Sequence, residues 1–142
     1  MSSWETHALS SLAGAGRRSG RARQLVIALL ARQHCCLTAN EIFEALRAKD
    51  RKIGLASVYR ALDQLTSLQL VQRLEFPDAA RYEPMPASGE HHHHLVCESC
   101  GKVEPFEDGP LERALERVGE GVGFHVEAHD VLLRGACADC RV

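Results

Sequence analysis

Two Cys-x-x-Cys pairs in the second half of this 142-residue chain constrain its folding more than any other feature. They are Cys97 with Cys100 and Cys137 with Cys140, and 36 residues separate them. A Cys-x-x-Cys turn brings two sulfurs to one ion at about 2.3 Å each, and structural Zn²⁺ takes four such ligands. A redox dithiol, a disulfide or buried free cysteines are the alternatives, but two pairs in one chain favour structural zinc. The long separation predicts a small subdomain between the pairs.

Charge is divided unevenly along the chain. Residues 1–76 contain 11 Lys and Arg against 6 Asp and Glu, whereas residues 77–142 contain 6 against 13. Six of the eight histidines also follow residue 76. This asymmetry predicts a first half that meets an anionic partner and a second half that binds cations.

The composition is that of an ordinary globular protein, with 45% hydrophobic and 25% charged residues. The longest apolar run, residues 25–31, is far shorter than a membrane span. The first residues lack a charged start followed by an apolar run, so no secretory signal is expected. We therefore expect a cytoplasmic protein with no membrane partner.

Helical periodicity predicts three helices in the first half, and an alternating pattern predicts a hairpin after them. Thr38 followed by Glu41 is a capping box that starts the second of these helices. Helix, turn, helix and hairpin together indicate a winged helix-turn-helix. The other predicted segments are a helix over 20–33, a helix starting near Ala56 or Ser57, and strands over 70–76 and 80–83.

The third helix is the candidate recognition helix. Its period places Ser57, Tyr59 and Arg60 on the outer face, and Arg51 and Lys52 come just before it. Basic side chains neutralise phosphates, and helix residues in a groove read base edges. The alternative is a solvated helix face, but the helix-turn-helix pattern favours binding to double-stranded DNA.

In the second half, the pattern predicts short strands around one helix. Strands over 94–97 and 102–106 flank the first Cys-x-x-Cys turn, and residues 122–134 are expected to be extended. The helix is expected to run from Pro110 to about Gly119. The residues expected on its inner face are Leu111, Leu115 and Val118.

The sequence thus predicts an α+β protein of two domains. A winged-helix DNA-binding domain over 1–84 is joined by a hinge over 85–90 to a dimerisation and metal-binding domain over 91–142. The hinge contains one proline and one glycine and directly follows Pro84, and the charge balance changes there.

Four consecutive histidines, residues 91–94, precede the first Cys-x-x-Cys pair. On an extended segment, alternate side chains point to opposite faces, so the run offers two ligands to each of two sites. A solvated polar loop is the alternative. Further donors favour metal sites: Glu83, Glu112, His125 and His129.

With these motifs placed, the chain strongly resembles the ferric-uptake regulator family of metal-dependent transcriptional regulators. The matching stretches are residues 53–62 and 91–103, followed by His129 and the closing Cys137-x-x-Cys140. The resemblance implies a homodimer with an N-terminal winged helix and a C-terminal α/β dimerisation domain. It also implies a repressor of metal-uptake genes that binds an A/T-rich palindrome when loaded with metal.

The resemblance assigns two metal sites to the second half and two DNA contacts, Tyr59 and Arg60, to the first. The structural Zn²⁺ site it implies consists of Cys97, Cys100, Cys137 and Cys140. The second site it implies consists of His91, His93, Glu112 and His129.

A regulatory site is also implied, with Glu83, His92 and His94 as ligands. Its remaining ligand in iron-responsive relatives is a histidine, and that position falls here on Cys36, beside Cys35 and His34. A thiolate makes the site softer and favours zinc, unless His34 is the ligand. Fe²⁺ and Zn²⁺ therefore both remain candidates for the regulatory metal.

Two other functions compete with regulation. The closed thiolate set and the lack of an evident nucleophile or general base argue against an enzyme and against a small organic substrate. A zinc or iron storage or chaperone protein is the alternative, but it does not need a basic helix-turn-helix half.

Overall fold

The structure, a computed structural model, describes residues 2–16, 20–33, 35–86 and 92–141. The chain divides into two compact units, Met1–Glu90 and His91–Val142. No helix among the described residues has both the length and the apolar character that crossing a membrane requires. Helices and strands are mixed in both units, so the predicted α+β class is confirmed.

The N-terminal unit contains four helices and a three-stranded antiparallel sheet in the order β1-β3-β2. The helices are α1 (Ser3–Gly14), α2 (Arg21–Arg32), α3 (Ala39–Arg47) and α4 (Leu55–Ser67). The strands are β1 (Leu37–Thr38), β2 (Val71–Glu75) and β3 (Ala80–Pro84).

The predicted winged helix-turn-helix is present in this unit. The capping box forms as expected, since Thr38 Oγ1 accepts from Glu41 N at 3.1 Å and Glu41 Oε1 accepts from Thr38 N at 2.9 Å. The third predicted helix begins at Leu55, at or just before the expected start. The hairpin β2–β3 pairs Arg73 with Tyr82 at its centre.

One apolar core joins the four helices to the sheet. Trp4 on α1 is buried, and its Nε1 donates to the Leu70 carbonyl at 2.9 Å. Apolar residues recur along α4 at helical spacing and form one buried face. The opposite face of the helix can therefore carry polar side chains. The buried residues of that face are Val58, Ala61, Leu62 and Leu65.

The C-terminal unit contains one helix and a three-stranded sheet in the order β5-β4-β6, with β4 and β6 parallel. Its elements are β4 (His93–Cys97), β5 (Val103–Phe106), α5 (Gly109–Gly121) and β6 (Leu132–Gly135). Asp108 caps α5, since its Oδ2 accepts from Leu111 N at 3.0 Å.

Two expectations for the C-terminal unit are wrong. Val118 is 68% exposed, because the inner stripe of α5 runs through Leu111, Leu115 and Gly119 at four-residue spacing. A side chain at Gly119 would meet Val126, which shows how closely the following segment approaches. Of the segment 122–134, which was expected to be extended, only the end forms a strand, as the start of β6.

The capping box gives a prediction about stability. Thr38→Ala is expected to lower the free energy of unfolding by about 1 kcal/mol, because a backbone N–H of α3 loses its acceptor. The chain has a single tryptophan, Trp4, in the N-terminal core, so its fluorescence in a urea titration follows this unit. Ser10→Ala, at an exposed position of α1, is the control. Equal stability of the two variants would contradict the prediction.

Candidate metal centres and DNA-binding face

Four thiols converge at one end of the C-terminal sheet. The sulfurs of Cys97, Cys100, Cys137 and Cys140 all lie within 4.8 Å of one another. The sulfurs of Cys100 and Cys137 are 3.8 Å apart. Two ligands at 2.3 Å from a tetrahedral ion lie about 3.8 Å apart, so the spacing and the donor type both fit Zn²⁺.

Backbone geometry builds this cluster. Cys97 ends β4, and Gly101 adopts φ 80° where the chain turns back, donating from its N to the Cys97 carbonyl at 2.9 Å. In the second turn, Cys140 N donates to the Cys137 carbonyl at 3.0 Å. Glu98 N donates to the Gly135 carbonyl at 2.8 Å, which holds the two turns side by side.

The protonation of the cluster is uneven. Backbone N–H groups, first that of Cys100 and then that of Cys137, lower the pKa of the Cys97 thiol from 9.0 to about 6. Its sulfur neighbours, Cys137 first, raise the pKa of Cys140 to about 12. Four thiolates cannot coexist at this spacing without a cation, so a bound ion must displace protons as it enters.

A second group of donors lies between β4, α5 and the segment before β6. Glu112 bridges two imidazoles, with its Oε1 2.5 Å from His93 Nε2 and its Oε2 2.7 Å from His129 Nε2. His93 is 1% exposed, and its Nδ1 accepts from Val131 N at 3.1 Å. The structure thus brings together three of the four residues predicted for the second site, and His91 lies outside the described residues.

The residues predicted for the regulatory site come from both units. In the N-terminal unit, Glu83 on β3 is 3% exposed, and one of its oxygens lies within 4.8 Å of the Cys35 sulfur. In the C-terminal unit, the rings of His92 and His94 pack edge to face with centroids 4.9 Å apart. Imidazole, carboxylate and thiolate are all ligands that Zn²⁺ accepts.

Cys35 is the functional candidate that sequence reasoning passed over. The structure groups its sulfur with Glu83, whereas Cys36 is buried with its sulfur 3.7 Å from that of Cys35. The signal in the sequence was the pair itself, because adjacent cysteines outside a strand need not point to opposite sides. His34 lies outside the described residues, and His125 is exposed and belongs to none of the donor groups found among them.

The outer face of α4 carries the predicted DNA-binding residues. Tyr59 is 44% exposed and Arg60 is exposed, and Arg60 donates to Ser57 Oγ at 3.2 Å. Arg51 and Lys52 are exposed in the turn before the helix.

The N-terminal end of α4 adds backbone donors to this face. No described side chain caps the helix at Gly54, so its first N–H groups are open to an anion. Asp50 anchors the preceding turn, accepting from Arg21 Nε at 2.8 Å and from Lys52 N at 3.0 Å. The hydrogen bond from Arg21, followed by that from Lys52, keeps the pKa of the Asp50 carboxyl below its usual value.

A winged-helix unit followed by a unit rich in metal ligands defines a metal-responsive transcriptional regulator. Comparison with known proteins bears this out. The profile of the Ferric uptake regulator family matches residues 14–134. The ferric uptake regulation protein of Bordetella parapertussis is 36% identical over 105 residues, which cover 74% of this chain and 75% of that protein.

Solved structures agree. The ferric uptake regulator of Helicobacter pylori, described as having three functional metal-binding sites, superposes with a TM-score of 0.83 at 29% identity, covering 97% of this chain and 91% of that one. The regulator of Francisella tularensis with iron gives 0.78 at 26% identity, covering 89% and 96%. The chain therefore belongs to the Ferric uptake regulator family.

The four-thiol cluster predicts a zinc-dependent fold. Cys137→Ser is expected to lose one tightly bound zinc per chain and to unfold the C-terminal unit, because the two turns are then no longer held by one ion. Zinc content by mass spectrometry and circular dichroism measure both effects. Cys35→Ser, outside the cluster, is the control and should retain this zinc. Full zinc content in Cys137→Ser would disprove the assignment.

The second donor group predicts a charge-dependent metal affinity. Glu112→Gln keeps the size of the side chain but removes its charge, so we expect at least a tenfold loss of affinity at this site. Titration calorimetry on protein that retains its tight zinc measures the loss. Glu116→Gln, exposed one turn further along α5, is the matched control. Equal affinities in the two variants would mean that Glu112 only bridges the histidines.

Proposed function

We propose that the chain is a repressor of metal-uptake genes that binds an A/T-rich palindrome as a metal-loaded homodimer in the cytoplasm. The observation that carries the proposal is the exposed Tyr59 and Arg60 on α4 of a winged helix, in a chain whose C-terminal unit also contains two groups of metal donors. A storage protein or chaperone has no need of such a helix face.

The side chains and backbone groups around α4 support DNA as the anionic partner. The exposed basic residues around the start of α4 neutralise phosphates, and Tyr59 offers an aromatic surface to a thymine methyl group. The uncapped start of α4 adds backbone N–H donors for a phosphate. The acidic second half repels phosphates, so binding is confined to the winged-helix unit.

Exposed apolar side chains of the C-terminal unit support a homodimer. They are too many and too large for a unit of this size to leave in water, and a symmetric interface between two copies covers them. The exposed residues are Leu95, Val118, Val122, Phe124, Val126 and Leu133.

Metal supplies the switch in this proposal. Zn²⁺ at the four cysteines holds the C-terminal unit together, and a second ion is held by His93, Glu112 and His129, with His91 as a further ligand. The regulatory ion, Fe²⁺ or Zn²⁺, is held by Glu83, His92 and His94 with a cysteine of the 35–36 pair. Because these ligands come from both units, metal stabilises the arrangement in which they meet, by the difference in its affinity for the two states.

The experiment that tests this function uses DNA affinity. Arg60→Ala and Tyr59→Ala are each expected to weaken metal-dependent binding to the operator by about 1–3 kcal/mol, with metal content unchanged, because they remove contacts to DNA. Fluorescence anisotropy at fixed salt measures the affinity, and mass spectrometry measures the metal.

Arg117→Ala is the matched control, since it removes an exposed arginine from α5. It should bind DNA like the unmodified protein. Unchanged binding by both α4 variants would refute the assignment of the recognition helix. Metal binding without any DNA binding would favour storage.

A further inference from the structure

Cys35 and Cys36 form an adjacent pair whose sulfurs converge. The two sulfurs are 3.7 Å apart, although successive side chains of an extended chain point to opposite sides. The convergence is possible because the pair lies in a bend between α2 and β1, not within a strand. Cys36 is 5% exposed and Cys35 is half-buried.

The separation of the sulfurs is that of two ligands on one ion. Two thiolates at 2.3 Å from a tetrahedral Zn²⁺ lie about 3.8 Å apart. The sulfurs of Cys100 and Cys137, in the four-thiol cluster, are 3.8 Å apart. The two sulfurs, which are in hydrogen-bond contact here, could therefore both bind one ion without moving apart.

A carboxylate and a cation complete the surroundings of the pair within the N-terminal unit. Glu83 lies within 4.8 Å of the Cys35 sulfur and offers a third donor. The pKa of the Cys36 thiol is raised by its hydrogen bond with Cys35, then by burial, and further by the charge of Glu83, while the buried Arg81 lowers it. Two thiolates and one carboxylate exceed the charge of a divalent ion by one, and the guanidinium of Arg81, which also pairs with Asp78 at 3.1 Å and with Glu41 at 3.7 Å, reduces that excess.

We propose that Cys35 and Cys36 bind one ion together as a two-thiolate clamp, with Glu83 as a third ligand, and that this clamp selects Zn²⁺ over Fe²⁺. Two soft sulfur ligands favour Zn²⁺, whereas Fe²⁺ is served well by histidine and carboxylate ligands. The inference rests on the proposed function, because it concerns the ion to which the regulator responds. Both cysteines are then ligands of the ion, and the ion is a metal that prefers thiolate ligands.

Cobalt substitution tests the clamp directly. Co²⁺ is added anaerobically, under reducing conditions, to full-length protein that retains its tight zinc. Each Co²⁺–thiolate bond adds charge-transfer absorption in the near ultraviolet, whereas histidine and carboxylate ligands add none. Cys35→Val and Cys36→Val, which nearly preserve side-chain volume, are each expected to remove about half of this absorption, because one of two thiolates is lost.

Competition with a chelator measures the selectivity. We expect Cys36→Val to weaken Zn²⁺ binding at this site by at least tenfold, as the loss of a metal ligand does, and to change Fe²⁺ binding less. Glu112→Gln is the control for the second donor group and should leave the charge-transfer band intact. Trp4 fluorescence in urea checks that each valine variant is folded.

Three results would overturn the clamp. Full absorption in Cys36→Val would make Cys36 a core residue and Cys35 a single ligand. Full absorption in both variants, or no charge-transfer band in the unmodified protein, would show that neither cysteine is a ligand of the ion. None of these results affects the proposed function, which fails only if metal does not control DNA binding. In that case a two-thiolate absorption band would still be observed, so the two failures can be told apart.

Discussion

The C-terminal unit depends on four sulfurs held at one point. Over residues 92–141, its sheet has three short strands, its one helix is partly exposed, and little apolar surface is buried within the unit itself. The four thiols come from the end of β4 and the turn after β6, so one ion bound to them would tie the first and last segments of the unit together. The same strand β4 begins with His93 and ends with Cys97, so the four-thiol cluster and the histidine and carboxylate donors lie at opposite ends of one strand. In the proposed function, the metal-sensing sites therefore rest on a scaffold that a structural ion holds together.

Much of the fold follows from patterns that act locally. The capping box at Thr38 and Glu41 starts a helix whatever surrounds it, and the apolar period of α4 dictates which side faces the core. The hairpin β2–β3 follows from alternation and its turn. Cys-x-x-Cys spacing places two sulfurs at each turn, so the four-thiol cluster was predictable once two such turns lay in one unit. The family resemblance supplied the grouping of Glu112 with His93 and His129, which no local pattern provides.

The remaining features depend on contacts between distant residues. Val118 was expected inside because it is apolar, but a one-residue difference in helical phase put Gly119 against Val126 instead. The segment 122–134 was expected to be extended, yet only its end, from Leu132, pairs with β4. The resemblance placed the regulatory ligand on Cys36, but the structure groups Cys35 with Glu83, because the bend between α2 and β1 determines which sulfur approaches the carboxylate. In each case the sequence specifies a tendency, and the tertiary neighbours decide the result.

Control of DNA affinity by metal is the central claim, and one titration tests it most directly. Protein that retains only its tight zinc is mixed with a fluorescent A/T-rich palindromic duplex at fixed salt, because phosphate contacts alone change affinity with ionic strength. Zn²⁺ is added in one series and Fe²⁺, anaerobically, in another, while anisotropy is recorded. The account predicts that binding appears as free metal rises, and that Zn²⁺ acts at the lower concentration. Anisotropy that stays flat in both series on a duplex known to be an operator, or that is already saturated without added metal, would contradict it.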